Sequence, residues 1–98
     1  MARKQNLSFS PSSQALGELR AQINAVDDEL IYLLNQRARL SLAVGKYKAG
    51  RNEPVQDPFR EKALLERLTL VNTGPMSAEQ LRVVYGEILS VSRQLQTV

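Results

Sequence analysis

The sequence contains no cysteine, no histidine and no tryptophan, and aromatic residues make up only 5% of the chain. Without cysteine there are no disulfides, no thiolate chemistry and no cysteine-ligated metals. Without histidine the chain lacks the usual general base and the commonest ligand of transition metals. If the chain is an enzyme, it therefore works without these groups.

Charge and hydropathy exclude further classes of protein. The formal net charge is +3, and it falls to +1 when Arg3 and Lys4 are left out. A nucleic-acid-binding domain of this size usually carries a larger basic excess. No apolar run approaches the roughly 18 residues of a membrane span, and the polar start "MARKQNLSFSPSS" lacks a signal-peptide core. We expect a cytoplasmic protein.

The 98 residues, of which 43% are apolar, indicate one folded domain. Residues 1–11 are polar and aperiodic and predict a flexible tail, so the domain spans residues 12–98. Serines in "SPSS" predict the start of a long helix that continues to about Ala49, where Gly50 supplies a stop. Gly45 interrupts this helix and predicts that another segment packs close to its backbone.

Two further helices follow. Asp57 as N-cap and Pro58 at the first helical position predict the start of the second helix. Ser77 and Gln80 form a capping-box pattern at the start of the third. The predicted apolar face of that third helix comprises Leu81, Val84, Tyr85, Ile88 and Leu95. No segment alternates with period two, so we predict an all-α fold of three helices: long, short and medium.

The first helix carries an apolar seam with alternating steps of three and four residues. Its length, about 55 Å at ~1.5 Å per residue, far exceeds the radius of gyration of about 13 Å for a globule of this size. Two shorter helices cannot cover such a stripe, which favours an intertwined homodimer. The alternative is a helix that breaks near Gly45. The seam comprises Leu16, Leu19, Ile23, Val26, Leu30, Leu33, Leu40 and Val44.

Polar side chains occupy positions where the stripes call for apolar ones. Arg37 interrupts the seam of the first helix, and Ser92 and Gln96 interrupt the stripe of the third. One interpretation is structural: Arg37 pairs with an acid or extends to solvent, while Ser92 and Gln96 fix the register of a dimer. Lys48 fits a helix C-terminus, where a cation is favoured. Arg60 lies in the first turn of the second helix, where a cation opposes the helix dipole.

The other interpretation is a binding pocket. Arg37 and Lys48 are three turns apart on one helix face, and Arg60 would add a third cation beside neutral hydrogen-bonding groups. Such a lining suits a small dicarboxylic ligand. The sequence offers no nucleophile triad, no metal-ligand cluster and no phosphate-binding glycine loop. The available chemistry is positioning and electrostatic stabilisation of developing charge.

These residues resemble the all-helical chorismate mutase family, either a stand-alone enzyme or the mutase domain of a bifunctional one. The resemblance covers about residues 14 to 96. It rests on "LGELRAQINAVDDELIYLLNQRARLSLAVGKYK", "DPFRE" and "SVSRQLQ". It implies a Claisen rearrangement of chorismate to prephenate, on the route to phenylalanine and tyrosine. It implies no cofactor, no metal and no covalent intermediate.

The resemblance also implies roles for individual residues. Arg20 and Arg37 would bind the two substrate carboxylates. Lys48 and Gln96 would donate hydrogen bonds to the ether oxygen. Glu61, with the backbone near Asp57, would hold the ring hydroxyl. The set expected to bind substrate is Arg20, Arg37, Lys48, Asp57, Arg60, Glu61, Ser92 and Gln96, and the catalytic members are Arg37, Lys48, Glu61 and Gln96.

Arg20 cannot act on the same ligand as Arg37 of its own helix. It precedes Arg37 by 17 residues, or about 26 Å along a straight helix. A ten-carbon ligand cannot bridge that distance. If both arginines bind it, Arg20 comes from the partner subunit, an arrangement that the resemblance implies as well.

Other functions compete with this one. An isochorismate-pyruvate lyase of the same fold also uses a cationic pocket, but it is not expected to keep the acid in "DPFRE". A non-catalytic helical dimer or regulatory domain would have no use for a buried arginine facing a glutamine. A nucleic-acid-binding dimer fits poorly with a nearly neutral folded part. We therefore predict a chorismate mutase that takes a small-molecule substrate and binds neither nucleic acid nor membrane.

Overall fold

A computed structural model describes residues 13–98. It contains α1 (Ser13–Gly50, 38 residues), α2 (Pro58–Val71, 14 residues) and α3 (Ala78–Gln96, 19 residues), and no strand occurs in this range. The predicted all-α fold with long, short and medium helices is confirmed. The tail predicted over residues 1–11 lies outside the described residues. Within 13–98, no helix is both long and apolar enough to cross a membrane.

The predicted starts of α2 and α3 are confirmed, and the end of α1 differs in detail. The Asp57 side chain accepts a hydrogen bond from the backbone N–H of Arg60 at the start of α2, and Ser77 forms its capping box with Gln80. α1 includes Gly50, one residue beyond the predicted end. Just after α1, Asn52 has a left-handed φ of 57°, a conformation that asparagine tolerates better than most residues.

The chain divides within α1 into two compact units, whose described parts are residues 13–34 and residues 35–98. In the first unit, the described residues 13–34 form the N-terminal part of α1. The seam predicted for this part is exposed in the single chain: Leu16 is 46% exposed, Ile23 57% and Leu30 50%. A large apolar stripe on this helix therefore faces outward.

The second unit contains the C-terminal part of α1 together with α2 and α3. Its buried side chains are Leu64, Leu89, Ser41 and Ser92. Because Ser41 contacts Ser92 and Gly45 contacts Gln96, this part of α1 and the end of α3 run side by side in the same direction.

The predicted face of α3 differs at two positions from the face that is packed in the single chain. Leu89 is buried at 7% exposure and was missing from the predicted face, whereas Val84, included in it, is 47% exposed. On a helix of 19 residues, the apolar positions fit the helical period about equally well when the face is shifted by one position. The spacing therefore does not distinguish a face that includes Leu89 from one that includes Val84.

We expect the capping box to be important for the stability of α3. Replacing Ser77 with alanine removes the hydroxyl that accepts from the Gln80 N–H, and should lower the free energy of unfolding by about 1 kcal/mol. Urea denaturation at one fixed protein concentration measures this change. The matched control is Thr73→Ala in the exposed loop before α3, which should change stability little. Equal effects of the two substitutions would contradict the assignment.

Candidate active site

Side chains from all three helices and from the α1–α2 loop surround a cavity of about 420 Å³. Pockets for small molecules are typically ~300–1,000 Å³. Every residue lining this cavity belongs to the unit of residues 35–98. The lining residues are Arg37, Leu40, Ser41, Val44, Lys48, Val55, Asp57, Arg60, Glu61, Leu64, Leu89, Ser92 and Gln96.

Seven of the eight site residues expected from the sequence line this cavity. The eighth, Arg20, lies in the first unit, where its side chain is exposed on α1, and it is not part of the lining. The structure therefore brings together residues that are up to 59 positions apart in the sequence. Their individual roles stay predictions. The seven are Arg37, Lys48, Asp57, Arg60, Glu61, Ser92 and Gln96.

Arg37 interrupts the apolar seam with a half-buried side chain. No carboxylate among residues 13–98 forms a salt bridge with it. The alternative in which Arg37 pairs with an acid of a neighbouring helix is thus not observed in this part of the chain. Arg37 lines the cavity, and its guanidinium carries donors that an anionic ligand can use.

Lys48 and Gln96 are held against each other at one end of the cavity. The Lys48 ammonium donates to the Val55 carbonyl over 3.0 Å and to Gln96 Oε1 over 3.2 Å. Because Gln96 uses its oxygen to accept from Lys48, its amide nitrogen points the other way, 3.4 Å from Ser92 Oγ. Among the residues that line the cavity, Lys48 and Gln96 therefore bring two hydrogen-bond donor groups, an ammonium and an amide N–H₂.

A pair of buried serines supports this arrangement. Ser41 Oγ lies 2.7 Å from Ser92 Oγ, and the two residues are 6% and 8% exposed. Ser92 is the polar residue that seemed out of place in the apolar stripe of α3. Its hydroxyl is satisfied there, because it has hydrogen-bond partners on two sides. Ser41 was not identified from the sequence. Its position one turn after Arg37, on the face that also bears Lys48, was a usable signal.

Gly45 explains how α3 comes close enough to α1. A Cβ atom built on Gly45 would lie 2.6 Å from the Cα atom of Gln96, a distance that real Cβ atoms do not adopt. The predicted close approach at Gly45 is confirmed, and the segment that packs there is the end of α3. Gly45 therefore lets the Gln96 backbone lie directly on α1.

The acidic residues lie on the α2 side of the cavity. The Asp57 carboxylate is occupied as the N-cap of α2. Glu61 lies one turn further on, and both of its carboxylate oxygens are 2.7 Å from Nη1 of Arg93. Arg93 was not identified from the sequence either. It lies one turn after Leu89 on the buried face of α3, and this spacing was the available signal.

The balance of charge around the cavity favours an anionic ligand. The lining contains the three cations Arg37, Lys48 and Arg60 and the two carboxylates Asp57 and Glu61. One carboxylate is occupied by a helix cap and the other by Arg93, so neither neutralises Arg37 or Lys48. A small ligand with more than one carboxylate complements this lining in both size and charge.

Comparisons with known proteins agree with this geometry. A family model described as chorismate mutase type II matches residues 19–97. The bifunctional chorismate mutase/prephenate dehydratase of Aquifex aeolicus (strain VF5) is 34% identical over 87 residues, which cover 85% of this chain and 24% of that protein. This chain thus spans about a quarter of the length of that curated relative.

Solved structures show the same fold. Chorismate mutase (form II) from Thermus thermophilus matches with a TM-score of 0.81 and 33% identity, covering 83% of this chain and 92% of that one. Chorismate mutase from Helicobacter pylori in complex with prephenate matches with a TM-score of 0.80 and 33% identity, covering 86% of this chain and 91% of that one.

We expect Gly45→Ala to destabilise the protein. Alanine in a helix normally stabilises by up to ~1 kcal/mol over glycine, but here the added methyl group meets backbone atoms of Gln96 that cannot rotate away. The net result should be a loss of at least about 1 kcal/mol in the free energy of unfolding, measured by urea denaturation. The control Gly86→Ala on α3 has open space around the new methyl group and should stabilise. A stabilising Gly45→Ala would contradict the close approach.

Proposed function

The chain belongs to the chorismate mutase type II family, and from this premise we propose that it converts chorismate to prephenate. The observation that carries the proposal is a cavity in which Arg37, Lys48 and Gln96 face a common space. The reaction is an intramolecular Claisen rearrangement: one C–C bond forms, one ether C–O bond breaks, and no atom leaves the molecule. Positioning and electrostatic stabilisation are sufficient catalysis for such a step.

In this proposal the cations of the cavity bind the substrate carboxylates. Arg37 forms no salt bridge to any carboxylate among residues 13–98, so a substrate carboxylate is its natural partner. Arg60 and Ser92 complete the polar surroundings of the carboxylates. A guanidinium suits this task because its planar donors match the two oxygens of a carboxylate.

Lys48 and Gln96 act on the ether oxygen. That oxygen gains negative charge as the C–O bond breaks, so donors aimed at it stabilise the transition state more than the substrate. The hydrogen bond from Lys48 to Gln96 Oε1 supports this role, because it occupies the amide oxygen and leaves the N–H₂ as the donor; Ser92 Oγ takes only one of its two hydrogens. Glutamine donates whatever the pH, whereas a carboxyl group donates only when protonated.

Glu61 and the start of α2 hold the ring hydroxyl. The Glu61 carboxylate lines the cavity and is an acceptor on both oxygens. The backbone at Asp57, just before α2, lies at the same side of the cavity. This pair would fix the orientation of the ring while the cations hold the carboxylates.

We propose that the active form is an intertwined homodimer in which Arg20 of each chain reaches the site of its partner. The exposed apolar seam of α1 supports this proposal, since its leucine, isoleucine and valine side chains require cover. Arg20 is exposed on α1 and therefore available to another chain. The cytoplasmic location expected from the sequence stays a prediction.

The activity is tested by mixing the purified chain with chorismate and following the loss of its ultraviolet absorbance. We expect turnover by the wild type, and losses of at least about 100-fold in kcat/KM for Arg37→Ala and for Gln96→Ala, the size typical for removing a transition-state hydrogen-bond donor. Exposed neighbours provide matched controls: Arg39→Ala and Gln94→Ala should keep near wild-type rates.

Two outcomes would contradict the proposed activity. A folded wild type that does not convert chorismate would favour a regulatory or scaffold function, and conversion of isochorismate instead would favour the lyase. Losses as large in the Arg39 and Gln94 controls as in the site variants would show that the losses do not come from the cavity.

Arg20 donation is tested by complementation between two inactive variants. In a mixed dimer of Arg20→Ala and Arg37→Ala chains, one site receives an intact Arg37 from the first chain and an intact Arg20 from the second. When equal amounts reassemble at random, about half of the dimers are mixed, and each mixed dimer has one intact site of two. The mixture should therefore regain about a quarter of the wild-type activity. If both arginines serve the site of their own chain, the mixture stays inactive, and this result would overturn the proposed exchange.

A further inference from the structure

The salt bridge between Arg93 and Glu61 joins α3 to α2 at the edge of the cavity. Nη1 of Arg93 lies 2.7 Å from each carboxylate oxygen, and the two side chains are 34% and 27% exposed. Such short contacts between opposite charges are charge-assisted hydrogen bonds, the stronger kind in proteins. Among the contacts of residues 13–98, the Arg93 side chain pairs with Glu61 alone.

The two members of this pair differ in their relation to the cavity. Glu61 is part of the lining, and Arg93 is not. Arg93 therefore holds the carboxylate from outside the space that a ligand would occupy. A guanidinium in this position does not compete with a ligand for the cavity, and it leaves acceptor lone pairs of Glu61 for a ligand hydroxyl.

Glu61 has other possible partners in the same lining. Lys48 and Arg60 are cations of the cavity, as is Arg37, and a carboxylate free to change rotamer in a partly desolvated space is attracted to them. A salt bridge to Glu61 would withdraw such a cation from an incoming ligand. In the structure Glu61 does not pair with Arg37 or Lys48. Within residues 13–98 its salt bridge is to Arg93, and neither Arg37 nor Lys48 has an acidic partner.

We propose that Arg93 is a positioning residue that separates the charges of the site. It holds the Glu61 carboxylate toward the ring hydroxyl and away from Arg37, so that this guanidinium stays available for a substrate carboxylate. The inference rests on the proposed function for the identity of the substrate. It adds a residue that touches no substrate and acts through Glu61.

Kinetics of five variants test this inference. Arg93→Met keeps the length and helix preference of the side chain but removes its charge. We expect KM for chorismate to rise at least about tenfold, with kcat within about threefold of the wild type, because ground-state and transition-state binding are lost together. Arg93→Lys keeps the charge and should restore KM to within about threefold of the wild type.

The double variant separates positioning from a merely structural role. In a Glu61→Gln background the neutral amide no longer competes for the cations, so adding Arg93→Met should change KM by less than about twofold. The matched control is Arg82→Met, an α3 arginine paired 4.0 Å from Glu79 at the exposed surface, and it should leave KM unchanged. An unchanged KM in Arg93→Met, or a loss that persists in full in the Glu61→Gln background, would overturn the inference.

A titration with adipate keeps the inference separate from the proposed activity. Adipate is a dicarboxylate without a ring hydroxyl, and its binding can be followed by NMR without turnover. We expect weaker binding by Arg93→Met and recovery in the double variant. If the wild type fails to convert chorismate, the proposed function is wrong, and this titration still decides on Arg93. Equal adipate affinity in all variants, or no binding by the wild type, would overturn the charge-separating role.

Discussion

The contact between the Gln96 backbone and Gly45 is the constraint on which the cavity depends. Any side chain at position 45 would push the end of α3 away from α1, since its Cβ would lie 2.6 Å from the Gln96 Cα atom. This contact sets the depth at which the polar end of α3 meets Lys48 and Ser41. The hydrogen bonds of Ser92 and Gln96 follow from it, because they require side chains of two helices within about 3 Å. A residue without a side chain thus determines where the functional side chains lie.

The cavity keeps opposite charges in one small space without letting them cancel. Its carboxylates are occupied by partners that do not bind a ligand: Asp57 by the N-terminus of α2, and Glu61 by Arg93. Its central cation, Arg37, has no acidic partner among residues 13–98. A half-buried cation without a partner is costly for folding, so the arrangement favours binding of an anion at the expense of stability. Such a conflict is characteristic of functional sites.

The sequence alone predicted most of the local structure and part of the site. Caps such as Asp57 and Ser77 are local signals, since the capping group and its partner are three residues apart, and both were confirmed. Arg37 was detectable because one polar residue interrupts a regular apolar period. Arg93 and Ser41 were missed for a common reason. The spacing within each helix places them on an inward face. Which residue of another helix they meet there depends on the rotation and close approach of the helices, and that spacing does not encode it.

The small core of the chain connects the folding of the protein with its proposed activity. Among the described residues, the buried apolar side chains are Ala15, Leu64 and Leu89, and two of the other buried groups are serines that belong to the cavity. A core of this size contributes little stability by itself. The much larger apolar surface on α1 is exposed in the single chain. In the proposed dimer, the same second copy covers that surface and supplies Arg20, so a chain that is unable to dimerise would lose stability and a substrate-binding residue together.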